Sequence, residues 1–287
     1  MMAISLGQQK FVLWNPAIRK SVGIRVPYMS HKPIENLCDI EVHDAFGFGV
    51  CPVAFDLTII KIRCIHYKRN RRRNDKAIVN VPWKVQVFTL STGTWSILST
   101  NLPRESVRPR GAQVVIDRFI YWVAYEVGRS EPNLLIMFDL TAKELKEINL
   151  TDSFTNRRCS IESISKLRES LVLLEYHLEE DVSVGCLWMM KEQGVSRSSF
   201  TKMYTIKLPD ATIHHILGFR KTGDLIMETI PNYEKYGEVQ IYKQNYEYAD
   251  NLGIDGEDNS FFMCSYVESL LLLDKSDGYI YLPIVRT

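Results

Sequence analysis

Apolar residues fall along this chain in short runs, each opened by a polar turn. Asp117-Arg118-Phe119-Ile120-Tyr121-Trp122, Glu169-Ser170-Leu171-Val172-Leu173-Leu174-Glu175, Gly223-Asp224-Leu225-Ile226-Met227-Glu228 and Glu268-Ser269-Leu270-Leu271-Leu272-Leu273-Asp274 share this form. The second and fourth are identical at five of seven positions and lie 99 residues apart. Runs this short, bounded by turn residues, are strand-sized. They begin at Phe119, Leu171, Leu225 and Leu270, in steps of 52, 54 and 45. A hairpin pattern is interleaved with them. Val85–Leu90 turns at Ser91-Thr92-Gly93 and returns through Trp95–Leu98, and Leu135–Leu140 turns at Thr141-Ala142-Lys143 and returns through Leu145–Ile148. Val239–Tyr242 with Tyr246–Tyr248 forms a third copy.

Four short strands per about fifty residues is the kelch period. The predicted fold is therefore all-β: a kelch-like β-propeller of short four-stranded blades, read as one domain over residues 1–287. A single blade cannot bury both faces, so blades stack and leave only short edges. A fifth run, Leu57–Ile62, precedes Phe119 by 62 residues, and the polar segment Tyr67–Asn80 is expected to be the loop insertion that makes up the surplus. Five runs and an incomplete N-terminal hairpin predict six blades at most. Two segments compete with this frame: Thr141–Glu147 and Ser163–Glu169 contain good helix formers behind plausible caps. The repeat places both at hairpins, which favours strand.

Composition adds limits. Of 287 residues 46% are apolar, and 35 basic side chains face 34 acidic ones. Such a balance gives no general expectation of a nucleic-acid groove or a membrane face. No apolar run approaches the ~18 residues of a membrane span, and the first residues lack the apolar core of a secretory signal. Six cysteines without a Cys-x-x-Cys pair read as free thiols in the cytoplasm or nucleus.

Little in the chain points to chemistry. Cys64-Ile65-His66 has no second ligand pair, so no metal is expected, and the six histidines are read as surface residues. Gly47-Phe48-Gly49 lacks a third glycine and runs into Pro52, so no nucleotide cofactor is expected. The acidic groups Glu179-Glu180-Asp181 and Asp255-Gly256-Glu257-Asp258 are placed in solvated loops. Trp95 and Trp122 are assigned to blade packing, and Trp83, beside Pro82, to the surface. The densest charge is Lys68, Arg69, Arg71, Arg72, Arg73 and Lys76, with Asp75 the one acid among them. A solvated loop, a nuclear-import or nucleic-acid patch, and a contact for an acidic partner all remain open for it. With Trp83, these residues are the candidate partner-binding set. No catalytic residue is assigned.

The order of landmarks resembles a family. Trp14-Asn15-Pro16-Ala17-Ile18-Arg19, Phe46-Gly47-Phe48-Gly49-Val50-Cys51-Pro52, Asp56–Ile62, Val85–Trp95, Phe119–Trp122 and Leu135–Leu140 follow one another as in the F-box associated domain of plant F-box proteins. The likeness is strong from about Phe11 to Leu150 and weaker beyond. Leu57-Thr58 stands where the family usually has Tyr-Lys. The resemblance implies a domain that recognises a target protein for ubiquitination, with no enzymatic activity of its own. The helical F-box, which docks a Skp-type adaptor and through it a cullin, is not seen before Trp14. The chain as given is therefore expected not to bind the adaptor, and its first blade to be short, exposed at one edge and marginally stable. Two rival readings are a propeller-fold enzyme such as a glycoside hydrolase, and a stand-alone interaction protein without ligase coupling.

Overall fold

The computed structural model describes residues 2–5, 10–29, 39–70, 76–99, 101–128, 134–150, 160–180, 182–191, 199–232, 234–258, 260–263, 268–283 and 285–286. The chain divides into two compact units. One comprises Met1–Glu105, Leu140–Glu144 and Ser265–Thr287, the other Ser106–Asp139 and Leu145–Cys264.

The first unit opens with β1 (Met2–Ser5), β2 (Lys10–Asn15), β3 (Lys20–Arg25), β4 (Asp39–Val50), β5 (Leu57–Asn70), β6 (Lys76–Thr89) and β7 (Thr94–Leu98). The second holds β8 (Val107–Ile116), β9 (Phe119–Glu126), β10 (Leu134–Asp139), β11 (Glu144–Asn149), β12 (Ser160–Leu167) and β13 (Ser170–Glu179). It continues through β14 (Val182–Met190), β15 (Phe200–Leu208), β16 (Ala211–Phe219), β17 (Leu225–Pro231), β18 (Tyr236–Lys243) and β19 (Tyr248–Glu257). The chain then returns to the first unit with β20 (Tyr279–Tyr281) and β21 (Val285–Arg286). Among the described residues the only helix is a 3₁₀ turn at Gln244–Tyr246, and no helix is long and apolar enough to cross a membrane.

The strands form five sheets of the β-propeller kind. Their orders are β1-β2-β3-β20, β4-β5-β6-β7-β21, β8-β9-β10-β11, β12-β13-β14-β15 and β16-β17-β18-β19. The runs at Leu57, Phe119, Leu171 and Leu225 fall on β5, β9, β13 and β17, each the second strand of its sheet. They are rich in apolar residues because both faces are covered; in the run on β5 the exceptions, Thr58 and Lys61, are themselves buried. Leu171 and Leu173 of β13 enter one core with Tyr121, Met137 and Ile164, while Val172 and Leu174 enter another with Ile213, Leu225 and Met227. Trp95 and Trp122 are buried, as expected. Both ambiguous segments are strands, and their turns place Lys143 and Arg168 at φ 56° and 54°.

Three expectations are corrected. Within Tyr67–Asn80, expected as a loop insertion, residues 67–70 and 76–80 are paired strand of β5 and β6, with Tyr67 opposite Val79, Arg69 opposite Ala77 and Asn70 opposite Lys76. Ile78, Val79 and Val81 are β-branched, and such residues favour extended backbone. The first sheet is not short: β1 pairs along β2, and β20 runs parallel to β3 on the other edge. Finally, the copy at Glu268–Asp274 is not a strand. The buried Asn15 side chain donates to the carbonyls of Ser269 and Leu271, each at 2.8 Å, and Lys20 Nζ donates to those of Leu273 and Lys275. Carbonyls held this way cannot join a ladder, and the segment becomes a strap over the Trp14-Asn15-Pro16 corner.

One ionic cluster lies in the core of the first unit. Arg63 makes a bidentate pair with Asp44, both bonds 2.6 Å, and donates a third bond of 2.6 Å to the Met29 carbonyl. Lys61 Nζ lies 3.9 Å from the same carboxylate and over the Phe46 ring. Burial holds the Lys61 pKa below the usual ammonium value, and the hydrogen bonds of Asp44 raise that of Arg63.

Candidate functional site

In the second unit the first strands of three sheets lie side by side, β12 between β8 and β16. All three depart from regular pairing there. β8 breaks register between Arg110 and Val114, and β12 between Ile161 and Ser163; β16 does so twice, at Ile213/His215 and Ile216/Gly218. A bulge frees backbone groups and re-aims side chains. The freed donors are used: Ile216 N–H donates to Ser163 Oγ at 2.9 Å and Ile213 N–H to Ser183 Oγ at 3.1 Å, both buried. The serines thus fix β16 against its neighbours.

A cavity of about 110 Å³ opens between these strands. Arg110, Gln113, Glu162, Ser163, Ser165 and His215 supply its polar wall, and Phe261–Met263 closes its apolar side. Phe261 is seated by the cross-strand pair Gly237 and Gly256. A Cβ on Gly256 would stand 2.9 Å from Phe261 Cζ, so only glycine leaves room for the ring.

Burial lowers the His215 pKa from its ordinary value; His214 and Arg110 push the same way, against Glu162 and Asp258. At neutral pH the ring is therefore uncharged, able to donate at one nitrogen and accept at the other. Its Nδ1 lies 3.7 Å from the buried Glu228 carboxylate, too far for a hydrogen bond, and has no hydrogen-bond partner among the described residues. Beside it, His214 Nδ1 is 2.8 Å from Asp258 Oδ1.

The dimensions narrow what this cavity can do. Sites for drug-sized molecules span roughly 300–1,000 Å³, whereas 110 Å³ accommodates one amino-acid side chain. One cation, one carboxylate, hydroxyls and a neutral imidazole suit a polar side chain lying against an apolar wall. Among the described residues Glu162 is the one acid in the lining, and a glycosidase pair needs two carboxylates on opposite sides of the scissile bond. Among the described residues no cluster of His, Cys, Asp or Glu could hold a metal ion.

Of the sequence-selected residues, none that is described lines this cavity. Lys68 and Arg69 stand at the end of β5 and Lys76 at the start of β6, brought together by the hairpin. Arg71, Arg72 and Arg73 lie outside the described residues. Trp83 is not a surface aromatic: it sits in β6 and is 3% exposed. His66 is likewise buried. Arg110, Glu162 and His215 come from segments some fifty residues apart, which no local spacing connects. The one local signal is loss of alternation, at Arg110-Gly111-Ala112-Gln113 and at His214-His215.

Comparison with known proteins adds a family. The model of the F-box associated beta propeller domain, a protein-interaction domain, matches residues 1–273, across both units. No curated protein matches the sequence. Among solved structures, the chain is similar to a protein described as a dipeptidyl aminopeptidase IV from Bacteroides ovatus. Identity is 12% and the TM-score 0.38, covering 86% of this chain and 43% of that one. It is also similar to dipeptidyl peptidase 4 of Porphyromonas gingivalis, at 8% identity and a TM-score of 0.32, covering 91% and 54%. The chain thus spans about half the length of these two proteins.

Proposed function

We propose a target-recognition role in an SCF-type ubiquitin ligase for this chain, which belongs to the F-box associated beta propeller domain family. Its site is the cavity between β8, β12 and β16, which takes one side chain of the target protein. The observation that carries this reading is a side-chain-sized hollow on three bulged strands, held open by serine hydrogen bonds. Bulges that served only to end pairing would not need a polar centre. A single carboxylate among the described lining residues supports binding over hydrolysis. The adaptor and cullin would be engaged by a helical F-box, and the role belongs to the cytoplasm or nucleus. The buried thiols of Cys51 and Cys186 suit that reducing setting.

The hairpin that carries Lys68, Arg69, Arg71, Arg72, Arg73 and Lys76 supplies a second contact, toward an acidic or phosphorylated part of the target. Arginine dominates there, and its planar fork suits carboxylate and phosphate. Replacing Arg71, Arg72 and Arg73 with Ser should slow association and flatten its salt dependence without altering the melting temperature.

The cavity is tested by filling it. Ser165→Trp should reduce cross-linked capture of target proteins by roughly tenfold or more, the effect expected at a hot spot. The near-isosteric Glu162→Gln, which leaves packing intact, should change which proteins are captured. Capture unchanged in both variants, at unchanged melting temperature, would refute this assignment.

A further inference from the structure

The second unit also presents an exposed strand edge. β19 is the last strand of its sheet, and it does not pair evenly with β18. Glu238 faces Asp255 and Gln240 faces Asn251, so Leu252, Gly253 and Ile254 stand opposite Val239 alone. The segment Asp255–Glu257, expected in a solvated loop, is thereby part of a bulged strand.

The protrusion is held in shape. Glu238 Oε2 accepts a bond of 2.6 Å from Asn251 Nδ2, and Asn251 Oδ1 accepts one of 2.6 Å from Gly253 N–H. Gly253 sits at φ +66°, with open space where a Cβ would stand, so the backbone angle and not crowding calls for glycine. The consequence is exposure of apolar side chains on a fixed backbone. Leu252, Ile254, Tyr248 and the neighbouring Tyr236 are between 40% and 62% exposed. A bulge this wide blunts the edge against addition of another strand, so what it offers a partner is side chains rather than a ladder.

Along the edge strand itself the charge has one sign, while Lys235 adjoins Tyr236 and Lys243 stands opposite Tyr248. From Gln244 to Asp258 the chain carries Glu247, Asp250, Asp255, Glu257 and Asp258 and no basic residue. Lys243 neutralises Asp250, and His214 approaches Asp258. Glu247, Asp255 and Glu257 remain exposed around the apolar tip. Exposed apolar side chains rimmed by charge mark interaction surfaces, and complementary charge steers the partner and fixes its register. A polyanion such as nucleic acid or an anionic membrane would be repelled.

The geometry points to the bulged edge of β19 as a docking surface for a basic protein segment that carries apolar anchors. Leu252 and Ile254 pack against the anchors, and Asp255 and Glu257 meet the lysines or arginines beside them. The surface is separate from the cavity between β8, β12 and β16 and would stand if that assignment failed.

The test uses three fluorescent peptides on the full chain, followed by anisotropy. One alternates Lys with Leu, one alternates Glu with Leu, and one alternates Lys with Ser. The Lys–Leu peptide should bind, weakening steeply with salt, and the other two should bind at least roughly tenfold more weakly. Leu252→Ser with Ile254→Ser should lower Lys–Leu affinity roughly tenfold at any salt, and Asp255→Asn with Glu257→Asn should remove most of its salt dependence. Glu144→Gln with Glu147→Gln, on β11, is the control and should change neither. Equal binding of the Lys–Ser peptide, no binding of Lys–Leu, or a control effect as large as that at β19 would overturn the inference. So would salt-dependent self-association of the chain, which would make a second copy the occupant.

Discussion

Asp44 is the residue on which the first unit's core charge depends. It holds Arg63 through two hydrogen bonds and stands nearest the buried Lys61. Asp44→Asn would leave two buried cations against no anion, and such uncompensated charge costs about 3–5 kcal/mol. Lys61→Met removes the surplus cation while keeping the packing, and should be neutral or stabilising by chemical denaturation. His215 of the second unit gives a pH-dependent counterpart. Because burial lowers its folded pKa, the unfolded chain binds the extra proton more readily below the usual imidazole pKa, near 6.5. The stability linked to His215 is therefore present above that pH and is lost as pH falls toward its lower folded pKa. His214, Arg110, Glu162, Asp258 and Glu228 are the charged or titratable groups facing it, and His215→Gln should reduce the loss of stability between about pH 7 and about pH 5. At this scale the sequence was readable where packing repeats and misleading where it does not. Trp95 and Trp122 fell into the core through their place in the repeat. Trp83 was misjudged because Pro82 beside it suggested a turn, whereas β6 simply runs through both.

Among the elements, the strap over the first sheet shows where pattern and structure part. Glu268–Asp274 matches β13's sequence at five of seven positions, yet Leu272 lies at φ 75° with its side chain buried. What differs is context. Val172 and Leu174 meet a neighbouring sheet, while Leu270 and Leu273 are exposed and their segment is held by Asn15 and Lys20. Asn15→Ala should free the strap and cost about 1–3 kcal/mol, since two part-buried carbonyls lose their donor. Asn232→Ala, which removes one exposed bond to the Pro209 carbonyl, should cost about 0.5 kcal/mol. A comparable loss in the two variants would show that Asn15 does not hold the strap. The runs on β5, β9, β13 and β17 were legible because each is covered on both faces. The bulges of β8, β12 and β16 were not, since a bulge is defined by the partner strand and leaves only a break in alternation.

For the whole molecule, near-neutral net charge conceals separate local fields. Basic residues gather on the β5–β6 hairpin and acidic ones along β19, a division visible in sequence as two runs but not interpretable without strand pairing. The family and the β-propeller class were legible from the order of six landmarks. The cavity proposed for recognition was not, because its three walls meet only after the sheets stack. In the proposed role, binding at this cavity leads to ubiquitination of what is bound. The most direct test is turnover of the captured proteins in cells that express either the native chain or Ser165→Trp as their sole copy. Proteins captured through the cavity should carry less ubiquitin and live longer in the variant, and return to normal turnover when the native chain is restored. Unchanged half-lives for proteins whose capture is lost would contradict the account, leaving a binding domain without a ligase.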